Sequence, residues 1–216
     1  MALYTFSAKA NNTQAKMQVQ SLTSNLSGIA SLPAGTIDVM PVAGNNYDTN
    51  GVYNDDTDTD FDSAMSTLNT IMPNPGTGLS GNSPQEILFI VTDGVNDAKQ
   101  SDLRNACSQP IQTGSGGYKR CQEPMDTAWC TDIKARGIRI ALLYTVYLPM
   151  TSDSWYNSWV APFQRWQNSP HQDRVEDNIK TCATPGLYAS VSTDGDIAAA
   201  LNKLFQDAVQ MAHLTQ

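Results

Sequence analysis

The sequence predicts a doubly wound α/β fold, a mostly parallel sheet flanked by helices. Three observations carry that expectation. Glu86 to Val91 and Ile138 to Tyr147 are near-continuous apolar runs, the composition of strands buried on both faces. Phe61, Ala64, Met65, Leu68, Ile71 and Met72 recur at spacings of three and four, which puts them on one face of a helix. Strands and helices then alternate along the chain, an order that implies right-handed crossovers between parallel strands.

Taken in order, Ala2 to Ser7 is an aromatic and β-branched strand, and Met17 to Leu22 alternates as a short strand near an edge. Ser24 to Leu32 reads as a brief helix capped by Ser24. Pro33 to Asp60 is turn-rich, with Gly44, Asn45, Asn46 and Gly51, and reads as a long surface loop. The helix that begins near Phe61 has Thr59 or Asp60 where an N-cap belongs, and Pro73 stops it. A Pro/Gly/Ser loop over 73–84 leads to the strand at Glu86, which ends in Thr92-Asp93-Gly94. Residues 96–121 are polar and contain Gly114, Gly116 and Gly117, the signature of an exposed insertion. Pro124 is expected in the first turn of a helix with Met125, Trp129 and Ile133 on one face, closed by Gly137. Ile138 to Tyr147 is the second buried strand, helices fill the stretch from about 154 to 181, and Gly186 to Ser192 is the third. The last helix, Asp194 to roughly Ala212, is expected to turn Ile197, Leu201, Leu204, Phe205 and Ala208 inward. The organisation expected is one domain over 1–216, with loop insertions near 41–58 and 96–121.

Composition narrows the function. The 216 residues are 40 % apolar and only 16 % charged, against roughly 25 % charged in an average domain. With 13 Lys+Arg against 21 Asp+Glu the formal charge is −8, which argues against nucleic acid and against an anionic membrane surface. The longest apolar runs, Ile87 to Val91 and Ile140 to Leu143, fall far short of the roughly 20 residues a membrane-spanning helix needs. No basic start followed by an apolar stretch and a small-residue cleavage site is visible. The four cysteines, Cys107, Cys121, Cys130 and Cys182, have no C-x-x-C spacing and no nearby histidine pair, so a structural zinc site is not expected. Their even count suits an oxidising compartment. Two disulfides and buried free thiols both remain open at this point. Cys107 with Cys121 would staple a local loop and leave Cys130 for Cys182, one of three possible pairings.

Two clusters of oxygen-bearing side chains fall where open parallel sheets bind ligands, beyond the strand carboxyl ends. One is Thr92-Asp93-Gly94. The other is Asp56-Thr57-Asp58-Thr59-Asp60, before the helix. Carboxylates and hydroxyls suit Mg²⁺ or Ca²⁺; equally, Thr59 and Asp60 could simply cap a helix while Asp93 shapes a turn. The Asp56, Asp58 and Asp60 spacing fails as an EF-hand loop, because Phe61 stands where glycine is needed and Thr67 where a bidentate glutamate is needed. Gly76, Gly78 and Gly81 satisfy G-x-G-x-x-G by count, but follow a helix and lead into a strand, so they read as a surface turn. His171 and His213 read as surface residues. Trp155, Trp159, Phe163 and Trp166 read as core or helix packing. No hydrolase or transferase constellation is present, so a non-enzyme is expected.

Several of these segments have a family likeness. Glu86-Ile-Leu-Phe-Ile-Val-Thr-Asp-Gly-Val95 resembles the central metal-site strand of von Willebrand factor type A domains, and Ala2-Leu-Tyr-Thr-Phe-Ser7 resembles their second strand. Lys134-Ala-Arg-Gly-Ile-Arg-Ile-Ala141, Tyr144 to Pro149, Trp155-Tyr-Asn157, Val160-Ala-Pro-Phe163, Cys182-Ala-Thr-Pro-Gly-Leu-Tyr188, Asp194-Gly-Asp-Ile197 and Ala212-His-Leu-Thr215 resemble TadG-like proteins of bacterial tight-adherence (Flp) pilus assembly. The resemblance implies a metal-ion-dependent adhesion site with ligands from an Asp-x-Ser-x-Ser turn, a threonine before a helix and an aspartate ending the fourth strand. Thr59 and Asp93 match the last two, with Thr92, Gly94 and Asp60 at the rim. Asp-x-Ser-x-Ser is absent from this sequence. By family topology the first strand, expected to be missing, lies between the strands at 2–7 and 86–91. The implied function is a cell-envelope binding or assembly module, periplasmic or extracellular, with a protein partner at the cell surface or in the pilus machinery. Its membrane anchor is expected upstream, and Mg²⁺ or another divalent cation is held weakly or not at all for want of the turn. The alternative is a structural envelope subunit with no metal-dependent binding.

Overall fold

Ile140 to Leu143 are fully inaccessible to solvent, and the parallel sheet is organised around the strand they form. A computed structural model describes residues 1–6, 16–32, 59–113, 118–164, 173–192 and 195–214. The expected loop at 41–58, His171, Trp166 and Asp194 lie outside them. The architecture is mixed α/β with small parallel and antiparallel sheets. It divides into two compact units, residues 1–64 with 96–122 and residues 65–95 with 123–216.

The second of these units holds the apolar strands. β3 (Ile87–Thr92), β7 (Arg139–Thr145) and β8 (Tyr188–Val191) form a parallel sheet in the order β3-β7-β8, with Ile87 opposite Arg139 and Leu142 opposite Tyr188. The continuous apolar run of β7 therefore marks the central strand, as expected for burial on both faces. Ala141 and Leu143 join Leu187, Val191, Leu204 and Ala208 in one core cluster under α6 (Ile197–Leu214). Ile140, Leu142 and Tyr144 alternate to the other face. α3 (Ala128–Ala135) and α5 (Arg174–Cys182) also pack on β7, and the Cys130–Cys182 disulfide joins them.

The first unit is built differently. β1 (Leu3–Phe6) pairs antiparallel with β2 (Lys16–Gln20). β4 (Val95–Lys99), β5 (Pro110–Thr113) and β6 (Tyr118–Pro124) make a second sheet in the order β4-β6-β5, where β5 and β6 form an antiparallel hairpin. The Cys107–Cys121 disulfide fastens the segment before β5 to β6. Thus the pairing of neighbours in sequence, one of three that the spacing left open, is the one formed.

Several local expectations need correction. The polar stretch 96–121 is not a mere exposed insertion: it supplies three strands and buries Asn96, Asp97, Ala98, Arg120 and Cys121. Hydropathy misses this because Asp97 and Arg120 satisfy each other and Asn96 takes the Phe61 N–H. α1 spans Leu26–Ala30 and is capped by Asn25, whose Oδ1 accepts from the Gly28 N–H at 3.0 Å, and not by Ser24. Pro124 ends β6 instead of opening α3, whose first N–H, at Ala128, is taken by Asp126. α2 (Phe61–Ile71) buries Phe61, Ala64 and Met65, but Ile71 is exposed. Its C-terminal end is held by Arg136, which donates to the carbonyls of Asn69 and Met72 and to the side chains of Asn69 and Asn74. α4 (Ser154–Trp159) buries Tyr156 and exposes Trp155, whose ring leans on Trp159 at 6.0 Å. Among the described side chains of α6, Leu204 and Ala208 are the buried ones; Ile197, Leu201 and Phe205, expected inward, are 50 %, 36 % and 47 % exposed.

Candidate functional site

Thr92-Asp93-Gly94 follows from the way β3 ends. Gly94 has φ +75°, and a Cβ there would lie 2.2 Å from the Ile179 Cδ1 and 3.1 Å from a Val175 methyl on α5, so only glycine fits the turn. The turn is closed by its own polar groups. The Gly94 N–H donates to the Thr92 hydroxyl oxygen at 3.0 Å, and the Val95 N–H donates to the Asp93 Oδ1 at 3.1 Å. The Gly94 carbonyl accepts from the Met125 N–H at 3.1 Å. Burial pushes the Asp93 carboxyl above its ordinary value, and hydrogen bonds from the backbone N–H groups of Val95 and of Asp93 itself pull part of the way back.

More carboxylates gather at this end of the parallel sheet. The Tyr144 hydroxyl is pushed up to about 12, first by burial and then by the charges of Asp173, Glu176 and Asp93, with a hydrogen bond from the Tyr147 N–H opposing. The Tyr188 hydroxyl donates to Glu176 Oε1 at 2.9 Å, and it too is pushed up, first by burial. Asp173 is the N-cap of α5, accepting from the Glu176 N–H at 3.1 Å. The Tyr156 hydroxyl, pushed up to about 12 by burial and then by Tyr147 and Asp173, donates to Gln164 Oε1.

The other expected residues belong to the first unit. Thr59 and Asp97 exchange both backbone hydrogen bonds, at 3.1 and 2.7 Å, an isolated antiparallel bridge just before α2. Asp60 is almost fully buried and caps the helix, its Oδ1 accepting from the Ser63 N–H at 2.8 Å. The Phe61 N–H donates to the Asn96 side chain at 3.0 Å, and the Arg104 N–H to Asp62 Oδ1 at 2.9 Å. Beneath the bridge, the guanidinium of Arg120 forks onto both oxygens of Asp97, which also accepts from Gln122 at 3.3 Å.

The structure therefore brings Thr92, Asp93 and Gly94 into one turn, and Thr59 and Asp60 into one helix start. Asn96, Asp97 and Arg120, which position Thr59, were invisible to the sequence reading. The pair lies 23 residues apart, and spacing alone does not pair such residues. Among the described residues no group of three or more His, Cys, Asp or Glu could hold a metal ion, and Thr59 with Asp93 cannot supply the roughly six oxygens that Mg²⁺ demands. No family model matches the chain, and neither a curated protein nor a solved structure is significantly similar to it.

Proposed function

We propose that the chain is a non-enzymatic binding or assembly module of the bacterial cell envelope, of the von Willebrand factor type A class found in TadG-like proteins, with Thr59 and Asp93 as the residues that match the family's metal ligands. The observation that carries this reading is the open side of β3. Among the described residues β3 pairs with β7 alone, its Val91 is 46 % exposed, and the apolar stripe Ile197, Leu201, Phe205 and Val209 of α6 is left in solvent. Phe205 meets Phe89 of β3 at 5.8 Å, so that stripe continues from the covered sheet face. A further strand beside β3, placed there by the family topology, would use the free edge, and its crossover would bury the stripe. A doubly wound sheet with Asp93 at the carboxyl end of a central strand is the result. Two disulfides favour an oxidising compartment, and among the described residues no helix is long and apolar enough to cross a membrane.

In a complete family site Mg²⁺ takes a partner's carboxylate as a ligand. Of the residues that match the family, Asp93 would offer one carboxylate oxygen from a turn fixed by Thr92 and Gly94, and Thr59 stands at a helix start held by Asp60. This chain by itself should bind the ion weakly or not at all. The test is thermal melting in Mg²⁺ and in EDTA, on this chain and on a form extended by a strand with an Asp-x-Ser-x-Ser turn. The extended form should melt several degrees higher in Mg²⁺ and lose the gain with Asp93→Ala, since a ligand at 100 times its Kd stabilises by about 2.7 kcal/mol. An extended form indifferent to both ions and to Asp93→Ala sinks the metal mechanism. A structural envelope subunit is the second reading, favoured by the use of Asp60 as a helix cap and of Asp93 as a turn former.

A further inference from the structure

The two disulfides sit in unlike surroundings. Cys130 and Cys182 are both fully buried within helices packed on β7. Cys121 is also fully buried, but Cys107 is half-buried in a segment whose neighbours, Arg104 to Ala106 and Ser108 to Pro110, are exposed. Cys107 is thus the one cysteine of the four with any solvent exposure, and the Cys107–Cys121 bond is the one a thiolate can approach from solvent on one side.

What that bond holds is the start of α2. Three residues before Cys107, the Arg104 N–H donates to Asp62 in the first turn. Next to Cys121, Arg120 grips Asp97, whose backbone pairs on both sides with Thr59. Asn96, beside Asp97, takes the Phe61 N–H. Each end of the disulfide is thus one short step from a contact that fixes residues 59–62, and the covalent link keeps the two sets of contacts in one piece.

We propose that Cys107–Cys121 is a redox latch on the Thr59–Asp62 turn, opened by a dithiol while Cys130–Cys182 stays closed. One thiolate of the dithiol attacks the Cys107 sulfur, and Cys121 leaves as a thiolate that takes a proton. The second thiol of the reductant then resolves the mixed disulfide, releasing Cys107 as a thiol. Two electrons and two protons pass to the protein, and the dithiol becomes a disulfide. Where it concerns the adhesion site, this regulation rests on the function proposed above, because the latch controls the arm that carries Thr59.

The experiment titrates the native chain with dithiothreitol, traps thiols with an isotope-coded alkylating agent and reads each cysteine by mass spectrometry. Cys107 and Cys121 should be labelled at reductant concentrations at least tenfold below those that label Cys130 and Cys182. At that intermediate point, amide hydrogen exchange at Thr59, Phe61, Ser63 and Arg104 should quicken at least tenfold, while Ile140 to Tyr144 stay protected. The Cys107→Ser/Cys121→Ser chain should reproduce the fast exchange without reductant; selective reduction of the native chain serves in its place if that variant does not fold. Simultaneous labelling of all four cysteines overturns the proposal, and so does unchanged exchange at 59–63 after selective opening. A Mg²⁺ titration of both redox forms separates the two ideas. If neither form responds to the ion but exchange still quickens, the latch stands and the metal reading alone falls.

Discussion

β7 and β4 are both buried strands, yet one reads Ile-Ala-Leu-Leu-Tyr and the other Val-Asn-Asp-Ala. β7 is held as apolar strands usually are, by removing side chains from water between helices on both faces. β4 hides an amide and a carboxylate, which is tolerable only because each polar group has a partner. Asn96 accepts from the Phe61 N–H, and Asp97 accepts the two-pronged Arg120. A buried charge without its partner costs several kcal/mol, whereas an apolar strand tolerates imperfect neighbours far better. The parallel unit should therefore be robust to exchange among apolar side chains, and the hairpin unit brittle toward loss of one polar atom.

The largest expected effect tests that brittleness. Asp97→Ala removes the carboxylate onto which the buried Arg120 guanidinium forks and should cost about 3–5 kcal/mol by urea denaturation. Replacing both partners at once, Asp97→Leu with Arg120→Met, should cost much less, because no charge is left buried. If Asp97→Ala costs under about 1 kcal/mol, polar pairing is not what holds this unit. Next in size is the glycine turn that follows β3. Gly94→Ala forces a methyl against Ile179 at a positive φ and should cost about 2–3 kcal/mol. Ile179→Ala in the same chain should relieve the clash but not the backbone strain, so recovery is partial.

Smaller still is the helix cap. Asp60→Ala removes the acceptor of the Ser63 N–H and should lower stability by about 1 kcal/mol, with Thr59→Ala well below that because Thr59 contributes its backbone to the bridge. The smallest effect is that of Asp93. Its native pKa is raised, so the folded state holds the proton more tightly than the unfolded chain does. Stability from this group is complete below the ordinary value of 3.8 and is lost as the pH rises through the raised native value. Asp93→Asn keeps the acceptor for the Val95 N–H and should make the chain slightly more stable at neutral pH, with the gain vanishing in acid. Melting curves over a pH series check this, and a neutral-pH loss would mean that the carboxylate has a charged partner.

The site was readable in part. Asp93 stands out because a carboxylate right after Ile-Leu-Phe-Ile-Val has to emerge at a strand end. Asp60 stands out because an aspartate before a helical period is a cap. Arg120 and Asp97 did not stand out, since neither lies in an apolar pattern and their pairing depends on how a hairpin folds back. The α6 stripe was misread for a related reason. The 3.6-residue period gives the apolar face of a helix, but not whether anything lies against all of it, and here Leu204 and Ala208 are covered while Ile197, Leu201 and Phe205 are not.

By itself, then, the sequence determined local elements: two apolar strands of the parallel sheet, the helix at Phe61 and the glycine turn after Asp93. Each is dictated by side chains within a few residues, through periodicity, capping and steric freedom at glycine. Only the tertiary structure decided which cysteines meet, that a polar segment becomes a buried sheet, and that among the described residues β3 pairs along one edge alone. Those outcomes depend on residues far apart in the chain, where the cost of burying a charge or an amide is set by the partner that folding delivers to it.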